Sequence, residues 1–497
     1  MDTRKAIRWR AIGMLLACLA GADAAPVRPA WDAGPFGCRR TDLHGADRLQ
    51  LAGPLYESAR DATGRVFRAA RPFYAFTKNP ATGWENREFL WPIGESQRLK
   101  NDLSWRVLLA YGTRFDAPNA RSRYRFWLLP FYFQGRDIHG ETYHAVFPLG
   151  GRIHEFLFQD RIAFFLFPLW ARSETEKSRT WHVLWPILSR TTGPDTSGFR
   201  IFPLYGRRAA KDRYEKRFVC WPFWTQARYL NPAARGYGYV FFPFYGRMKL
   251  DDQSVRLFLP PFIRIGRSQQ LRSYYLPWPF VQIGRGAQEK TIVWPIYGDW
   301  RRPGYHRAFA VWPIAWRERI DRGDTTVRRH MLIPFLQYET QTRRGIIPAA
   351  RGDQGRLVKI WPLLTWRREG TEREFRALDL WPLRRTPVIE RNWAPFWTLW
   401  RFRAAGEARE TDLLWGLYRH YRDPDAGRYW SLFPLFSWAR EGAAPDAPAA
   451  REWQALKGLL GRRRVEGAGA RWQLLYIFRW GGRPQAAPDG TEASREP

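Results

Sequence analysis

Apolar and polar residues alternate in blocks along this chain of 497 residues. Aromatic and aliphatic runs with a proline inside them, and often an arginine at their end, recur as in Phe165–Arg172 and Val183–Arg190. From Pro92 to Pro434 the prolines of successive runs mostly lie 16 to 21 residues apart. A repeat of this length predicts an array of similar units, each burying its apolar surface only against its neighbours.

Turn-forming residues lie about midway between the runs, as in Asn79–Gly83, Asp251–Asp252 and Asp423–Gly427. Phe, Trp, Tyr, Val and Ile dominate the runs themselves. This pattern predicts an all-β antiparallel meander of about 20 strands, built from repeats of about 19 residues with a central aromatic-proline motif. We expect a closed or strongly curved, barrel-like array. Helices are disfavoured because proline inside a helix costs about 3 kcal/mol, except over Glu452–Arg464.

In the eighteen copies of the run from Leu90 to Phe436, the residues on both sides of the proline, or of Gly416 in one copy, are apolar. Since neighbouring side chains of a strand point to opposite faces, these positions predict a middle zone that is dry on both faces of the sheet. That pattern disfavours a water-filled pore, whose strands alternate apolar and polar residues. A proline in mid-strand leaves a partner carbonyl unpaired, at about 1 to 3 kcal/mol. Two solutions stay open: strands bent at a shared bulge, or a chain that turns at each proline into short hairpins.

The N-terminus has the pattern of an export signal. Basic residues are followed by an apolar core from Ala11 to Ala20 and by small residues near Ala24. An alternative is a lipoprotein signal that ends before Cys18, which would make this cysteine the site of lipidation. After Ala24 no segment reaches 18 consecutive apolar residues. The predicted organisation is a signal peptide at 1–24, a polar lead at 25–52, one β-repeat domain at 53–480 with an insert at 441–452, and a disordered tail at 481–497.

The formal net charge is +34, and most of the basic residues are arginines. Removing the signal peptide, with four basic and two acidic residues, leaves +32. Such a charge predicts attraction to polyanions, which outside the cytoplasm are lipid phosphates and acidic glycans. Nucleic acid is disfavoured because the basic residues are spread over every repeat instead of forming one stripe.

An arginine often lies four residues after the proline. We predict that these arginines form a rim beside the aromatic zone, where they either aid solubility and cover aromatic rings or bind phosphate and uronate groups. The predicted rim consists of Arg152, Arg172, Arg190, Arg207, Arg247, Arg264 and Arg317.

The sequence carries no recognisable catalytic, cofactor or metal motif. His139, Glu141, His144 and His154 form the densest histidine cluster, and their spacing favours surface histidines over metal ligands. Arg200, Lys359 and Asp379 interrupt the apolar pattern three residues before a proline and mark either a polar interior patch or a strand end. Cys38 and Cys220 allow one disulfide, and the sequence leaves their pairing open.

Together these features predict an exported, non-enzymatic protein of the bacterial cell envelope. The first hypothesis is an outer-membrane-associated, barrel-like structural or transport protein that handles lipid or anionic glycan, including lipopolysaccharide phosphate. The alternative is a periplasmic or lipid-anchored β-repeat scaffold that binds carbohydrate or another envelope partner. The sequence does not distinguish integral, lipid-anchored and soluble forms, or an oligomeric state.

Overall fold

A computed structural model describes residues 29–115, 123–343, 352–443 and 448–481. The signal peptide, Cys18, part of the 441–452 insert and residues 482–497 of the tail lie outside the described residues. The chain divides into two compact units. Unit 1 contains Met1–Ala62 and Trp400–Pro497, and unit 2 contains Thr63–Leu399. The single β-repeat domain expected over 53–480 stays a prediction.

The described chain holds 46 strands, and every ladder between them is antiparallel. Within each of three successive runs of strands, those that follow one another in sequence pair with each other. The prediction of an all-β antiparallel meander is confirmed. The first run, in unit 1, is β1 (Trp31–Asp32), β2 (Gly37–Thr41), β3 (Asp47–Leu51) and β4 (Tyr56–Arg60).

Unit 2 is one meander of 33 strands. Its first strands are β5 (Val66–Ala70), β6 (Tyr74–Asn79), β7 (Trp84–Phe89), β8 (Gly94–Leu99), β9 (Asp102–Val107), β10 (Ala110–Phe115), β11 (Arg123–Leu128), β12 (Tyr132–Arg136), β13 (Thr142–Val146), β14 (Gly150–Phe156) and β15 (Gln159–Phe165). The next are β16 (Trp170–Thr175), β17 (Ser178–Val183), β18 (Leu188–Thr192), β19 (Thr196–Ile201), β20 (Tyr205–Ala210), β21 (Tyr214–Val219), β22 (Trp224–Tyr229), β23 (Gly236–Phe241), β24 (Tyr245–Leu250), β25 (Gln253–Phe258) and β26 (Ile263–Ser268). The last are β27 (Leu271–Tyr275), β28 (Val281–Gly286), β29 (Glu289–Val293), β30 (Tyr297–Arg302), β31 (Tyr305–Ala310), β32 (Ala315–Arg322), β33 (Thr325–Leu332), β34 (Leu336–Arg343), β35 (Gly352–Ile360), β36 (Leu364–Glu369) and β37 (Glu372–Ala377).

The second run of unit 1 is β38 (Trp400–Ala405), β39 (Ala408–Leu413), β40 (Tyr418–Asp423), β41 (Gly427–Leu432), β42 (Phe436–Glu441), β43 (Ala450–Ala455), β44 (Leu460–Val465), β45 (Gly469–Leu474) and β46 (Phe478–Trp480). Two short helices of unit 2 are α1 (Pro387–Asn392) and α2 (Ala394–Trp397). Short 3-10 turns span Gly34–Phe36, Pro232–Ala234, Leu414–Gly416 and Leu456–Gly458. No helix in the described part of the chain is long and apolar enough to cross a membrane.

The strands are shorter and more numerous than predicted. Each repeat holds two strands, mostly of five to eight residues, because the chain turns at the proline instead of running through it. The apolar run around Pro168, for example, ends β15, makes the turn Leu166–Leu169 and begins β16. Of the two solutions left open by the sequence, the hairpin is therefore the one that forms.

The hairpin removes the unpaired-carbonyl problem. The turn around Pro168 closes with a bond from the Leu169 N–H to the Leu166 carbonyl, 2.8 Å. A proline in a turn withholds no ladder donor. The Pro168 carbonyl also accepts a hydrogen bond, from the Trp185 N–H of the next proline turn at 2.7 Å. Successive proline turns are thus bonded side by side.

Two further predictions are corrected. None of the ladders among the described strands joins β1 to β46, so the sheet is not closed and the closed-barrel alternative is wrong. The polar lead at 25–52, which stays a prediction as a separate segment, contains β1 to β3. Residues 452–464, expected to be helical, lie mainly in β43 and β44, because their apolar residues continue the cross-strand pairing of β42.

Glycine lets aromatic rings lie flat on the sheet of unit 2. Gly206 on β20 is directly opposite Phe218 on β21. A Cβ atom at Gly206 would lie 2.3 Å from the Phe218 ring, and a Cβ atom at Gly298 would lie 2.1 Å from the Phe309 ring. At Gly206 and Gly298, the glycine that follows the proline turn therefore makes room for the aromatic residue of the next strand.

Unit 1 is held together by buried ion pairs between its two runs of strands. Arg40 on β2 pairs with Glu410 on β39, and Arg403 donates to the same Glu410 oxygen at 2.8 Å. Arg419 on β40 pairs with Asp32 on β1. Gly416, with φ near +104°, stands where other repeats have proline, and a Cβ atom there would meet the Arg419 guanidinium at 2.1 Å. The exception in the repeat is thus explained by this network.

In unit 2 the helical segment contacts the first strands. Glu88 on β7 is 2% exposed and pairs with Arg391 and Asn392 of α1. The Arg71 guanidinium donates to the Arg391 carbonyl at 2.7 Å. These contacts join residues about 300 apart in sequence without any strand pairing.

We expect the substitution Gly206→Val to destabilise the protein by about 1 to 3 kcal/mol, because the added side chain overlaps the Phe218 ring. Thermal unfolding measures the loss. Gly150→Ala is the control, since its nearest neighbour would be an ordinary contact at 3.4 Å. Adding Phe218→Ala should recover part of the stability of the valine variant; equal losses at Gly206 and Gly150 would contradict the packing.

We expect the stability of unit 1 to fall in acid. Burial alone would raise the pKa of Glu410, but Arg40 and Arg403 outweigh it and hold the pKa well below its usual range. A carboxyl with a lowered folded pKa contributes stability above its unfolded pKa, about 4.3, which is lost as the pH falls toward the folded value. Melting curves from neutral pH downward should show this loss. Glu410→Gln should cost about 3 to 5 kcal/mol at neutral pH and flatten the acid dependence; an unchanged slope would count against the network.

Candidate functional site

The proline turns of unit 2 all lie along one margin of the sheet. They follow odd-numbered strands from β5 to β35, and in an antiparallel meander alternate turns lie on the same side. We call this line of turns the proline margin. The residue after each proline, here called the tip residue, is apolar and exposed, from 39% at Ile93 to 68% at Phe73. The tip residues are Phe73, Ile93, Phe131, Leu149, Leu169, Ile187, Leu204, Phe223, Phe244, Phe262, Phe280, Ile296, Ile314, Phe335 and Leu363.

This placement corrects the prediction of a zone dry on both faces. The residues around the prolines form turns at a margin of the sheet, so solvent reaches them from beyond the strand ends. Turn geometry does not require apolar tips, since Gly, Asn, Asp and Ser are the usual turn residues. The opposite margin has such turns, for example Gly193–Asp195 and Asp251–Asp252. Exposed apolar lines of this length are typical of surfaces that contact another molecule.

On one face of the sheet, here called face A, the first row of side chains inside the proline margin is also apolar. From β15 to β26 this apolar row contains one residue from each strand, and each of these residues lies directly opposite the next one. They are Phe165, Trp170, Val183, Leu188, Ile201, Tyr205, Val219, Trp224, Phe241, Tyr245, Phe258 and Ile263.

The next row on face A brings together six of the seven predicted rim arginines. We call it the arginine row; directly opposed residues connect Arg152 on β14 to Arg317 on β32. In order they are Arg152, Ala163, Arg172, Trp181, Arg190, Phe199, Arg207, Arg217, Gln226, Tyr239, Arg247, Arg256, Ile265, Tyr274, Ile283, Thr291, Asp299, Ala308 and Arg317.

Arg264 is the exception among the predicted rim residues. Its turn closes from the Phe262 N–H to the Leu259 carbonyl, so the turn proline is Pro261 and not Pro260. Arg264 is therefore three residues after the proline and lies on the opposite face, face B. There its guanidinium lies 5.5 Å from the centre of the Tyr275 ring.

Much of the charge in the arginine row has no protein counter-ion. Arg172 pairs with Glu174 at 3.1 Å and Arg207 with Glu215 at 2.9 Å. Within the described residues no ion pair engages Arg152, Arg190, Arg217, Arg247, Arg256 or Arg317. Phosphates and carboxylates are the ligands that such guanidinium groups prefer.

Aromatic rings stand between the arginines. The Arg172 guanidinium lies 5.2 Å from the centre of the Trp181 ring, a cation–π contact. Nearer the middle of the sheet, Trp224 and Tyr239 are stacked with 5.6 Å between ring centres and 17° between planes. Arg217 and Arg247 belong to the two strands on either side of this pair. The surface therefore offers flat apolar platforms beside cations.

Two members of the arginine row were not predicted. Arg217 and Arg256 lie five residues before a turn proline, and only the hairpin pairing places them opposite Arg207 and Arg247. The sequence does show arginines at a second position, five residues before a proline. That position predicts membership of the row only once the two halves of each apolar run are known to be separate, paired strands.

The predicted surface histidine cluster is partly buried. His154 is 4% exposed, and its Nδ1 lies 2.7 Å from an Asp137 oxygen. The other Asp137 oxygen accepts the N–H groups of His139 and Glu141. Burial raises the pKa of Asp137, but these bonds outweigh it, so the pKa lies below its ordinary value.

Asp137, Glu141 and His154 lie close enough together to hold a metal ion, with their ligand atoms within 4.8 Å of one another. Both Asp137 oxygens are occupied by the hydrogen bonds above, and Glu141 pairs with Arg161 at 2.6 Å. This arrangement braces the turn between β12 and β13. The surface interpretation is therefore wrong for His154, because its ring is held in the interior by Asp137.

The other residues singled out from the sequence have structural positions. Lys359 and Asp379 form a buried ion pair at 3.1 Å, and Asp379 accepts a bond from Thr365 at 2.6 Å, so the polar interior patch exists. Arg200 lies on face B opposite Ser189, where burial and Arg208 lower its pKa. Cys38 and Cys220 are both free thiols, and burial raises the pKa of Cys38 to about 11.

Comparison of the chain with protein-family models finds no match, and no curated protein matches it.

Proposed function

We propose that this protein is an exported, non-enzymatic component of the bacterial cell envelope that docks its proline margin into an anionic lipid surface. The observation that carries the proposal is the layered order of face A. Exposed tip residues are followed inward by the apolar row and then by the arginine row. In this arrangement tip residues enter the acyl region, and arginines bind lipid phosphates or the acidic groups of a glycolipid.

The dimensions favour shallow insertion. A tip residue and the arginine row are three residues apart, which is about 10 Å along a strand. Elements that lie in a membrane interface bury their apolar surface by about 5 to 10 Å. The lipid-facing band of outer-membrane barrels is about 25 Å tall, more than twice the apolar height available here. A peripheral, outer-membrane-associated protein is therefore favoured over an integral one.

The charge supports the same partner. Arginine forks bind phosphate in a bidentate way, and the unpaired arginines of the row lie parallel to the tip residues. Trp181 and Phe199 lie on either side of the unpaired Arg190 in the row and provide faces on which sugar rings of a glycolipid can stack. Salt screens exposed charges over about 10 Å at 0.1 M, so the electrostatic part of binding falls with ionic strength and the apolar part persists.

A second candidate function is a scaffold that binds an acidic carbohydrate without lipid. The stacked pair Trp224 and Tyr239, with Arg217 and Arg247 on flanking strands, favours it. A soluble uronate oligosaccharide would then quench tryptophan fluorescence, and Trp224→Ala would abolish most of the quenching. If oligosaccharide binds equally well to protein with and without the tip residues, while vesicles do not bind, this second function is the correct one.

We expect the triple variant Phe223→Ser, Phe244→Ser, Phe262→Ser to bind vesicles of equal parts phosphatidylcholine and phosphatidylglycerol about 100-fold more weakly than the natural chain. Each half-exposed ring loses about 1 kcal/mol of burial, and about 1.4 kcal/mol corresponds to a tenfold change. Vesicle flotation or a titration of tryptophan fluorescence measures the affinity. Because tip residues are solvent-exposed, the melting temperature should stay nearly unchanged.

Leu157→Ser with Phe158→Ser is the matched control, since these exposed apolar residues lie in a turn at the opposite margin. This variant should bind as the natural chain does. Replacing Arg217 and Arg256 with Gln should weaken binding and reduce its salt dependence. Equal loss in the control variant, or self-association of the natural chain through its tips in sedimentation experiments, would overturn the lipid assignment. Cys18→Ala in each chain removes any contribution from a lipid anchor.

A further inference from the structure

A second concentration of guanidinium groups lies near the end of unit 2. A cavity of about 230 Å³ is bounded by strands β33 to β36 and by the segment between β37 and α1. Six arginines and two glutamates border it: Arg329, Arg356, Arg367, Arg368, Arg384, Arg385, Glu339 and Glu369. The cavity is separate from the surface proposed to contact lipid.

Strand register decides which of these side chains face the cavity. Arg329, Glu339, Leu357, Arg367 and Glu374 are opposite one another on successive strands and share face B. Arg356 and Arg368 lie opposite each other and are the sequence neighbours of Leu357 and Arg367. Because neighbouring side chains of a strand point to opposite faces, Arg356 and Arg368 belong to face A. The wall on face B therefore offers Arg329 and Arg367, and the segment after β37 adds Arg384 and Arg385.

That segment is held in place by side-chain hydrogen bonds. Gln337 donates to the Pro382 carbonyl at 2.8 Å, and the Trp361 indole N–H donates to the Leu380 carbonyl at 3.1 Å. The Trp381 indole N–H donates to the Arg384 carbonyl at 2.9 Å. Arg384 and Arg385 thus extend from a fixed backbone, which lowers the entropy lost when they bind a ligand.

The arginines around the cavity outnumber the carboxylates that serve them. Arg329 is held by Glu318 at 3.0 Å and Glu339 at 2.7 Å. Among the described residues, the ion-pair partners of Arg385 are distant: Glu390 at 3.7 Å and Glu374 at 3.9 Å.

Those two glutamates are shared. Arg376 pairs with Glu390 at 2.5 Å, and Arg367 lies 3.5 Å from Glu374 and 3.1 Å from the exposed Glu369. Burial and the neighbouring Arg367 lower the pKa of Arg385. Arg384 makes no ion pair within the described residues.

We infer that this cavity binds a single phosphate group between Arg384, Arg385 and Arg367. A guanidinium fork matches two phosphate oxygens. The group would supply a counter-charge for Arg384, which has no ion pair among the described residues, and a closer one for Arg385, whose carboxylate partners are 3.7 and 3.9 Å away. The volume is below the 300 to 1,000 Å³ typical of pockets for drug-sized ligands, so it accommodates a phosphate and not a whole glycan. The phosphate comes either from free inorganic phosphate or from a headgroup whose phosphate reaches the cavity.

The test uses the full chain in phosphate-free buffer and calorimetric titration with inorganic phosphate. Arg384→Gln with Arg385→Gln should weaken binding about tenfold or more, because charge-assisted hydrogen bonds are lost. Phosphate should raise the melting temperature of the natural chain and leave that of the double variant unchanged. The matched control is Arg451→Gln with Arg464→Gln, two exposed arginines opposite each other on β43 and β44, outside the cavity and the arginine row, and this variant should bind phosphate normally.

Glycerol phosphate, a soluble analogue of a lipid headgroup, distinguishes the two sources of the phosphate. If glycerol phosphate binds and inorganic phosphate does not, the site is assigned to a headgroup. Either form supports the cavity if Arg384 and Arg385 are required. Absence of binding by both probes, or equal binding by the double variant, overturns it. Vesicle binding reports the proline margin independently, so loss of one property leaves the other measurable.

Discussion

The missing N–H of proline is the constraint on which this structure depends. A residue that cannot donate to a ladder is placed in the turn, where no ladder bond is needed, and so each apolar run becomes two paired strands. The carbonyl of the same proline accepts a bond from the next proline turn, as Pro168 does from Trp185. Repeated in unit 2, this arrangement aligns the turns along one margin and fixes the register of every strand between them.

Register then produces the surface chemistry. Because side chains alternate between faces, an arginine four residues after the proline always lies on face A, two rows inside the margin. Arginines that precede the next proline by five residues join the same row through pairing, as Arg217 and Arg256 do. The layered order of apolar tips, apolar row and arginine row therefore results from local pairing between neighbours. It needs no long-range folding information.

Charge serves two different purposes in the molecule. In unit 1 the charged groups are buried and form ion pairs with carboxylates, and these pairs hold two runs of strands together. The arginines are Arg40, Arg403 and Arg419. On the arginine row of unit 2 the guanidiniums are partly exposed, and several have no ion pair. Paired, buried charges specify an arrangement of the chain, whereas unpaired charges beside an apolar margin attract an anionic surface. The same residue type is structural in one unit and a candidate for recognition in the other.

The sequence by itself determined the all-β class, the antiparallel meander, the polar turns and six of the eight arginines in the arginine row, because each depends on contacts between residues close in sequence. It did not determine the number of strands, since a bent strand and a hairpin have the same apolar pattern around Pro168. Only the tertiary structure revealed the ion pair of Arg40 with Glu410, the inward turn of His154 and the cavity beside Arg385. Those contacts join residues that are tens or hundreds of positions apart in sequence. The local pattern of apolar and polar residues does not predict which distant residues meet.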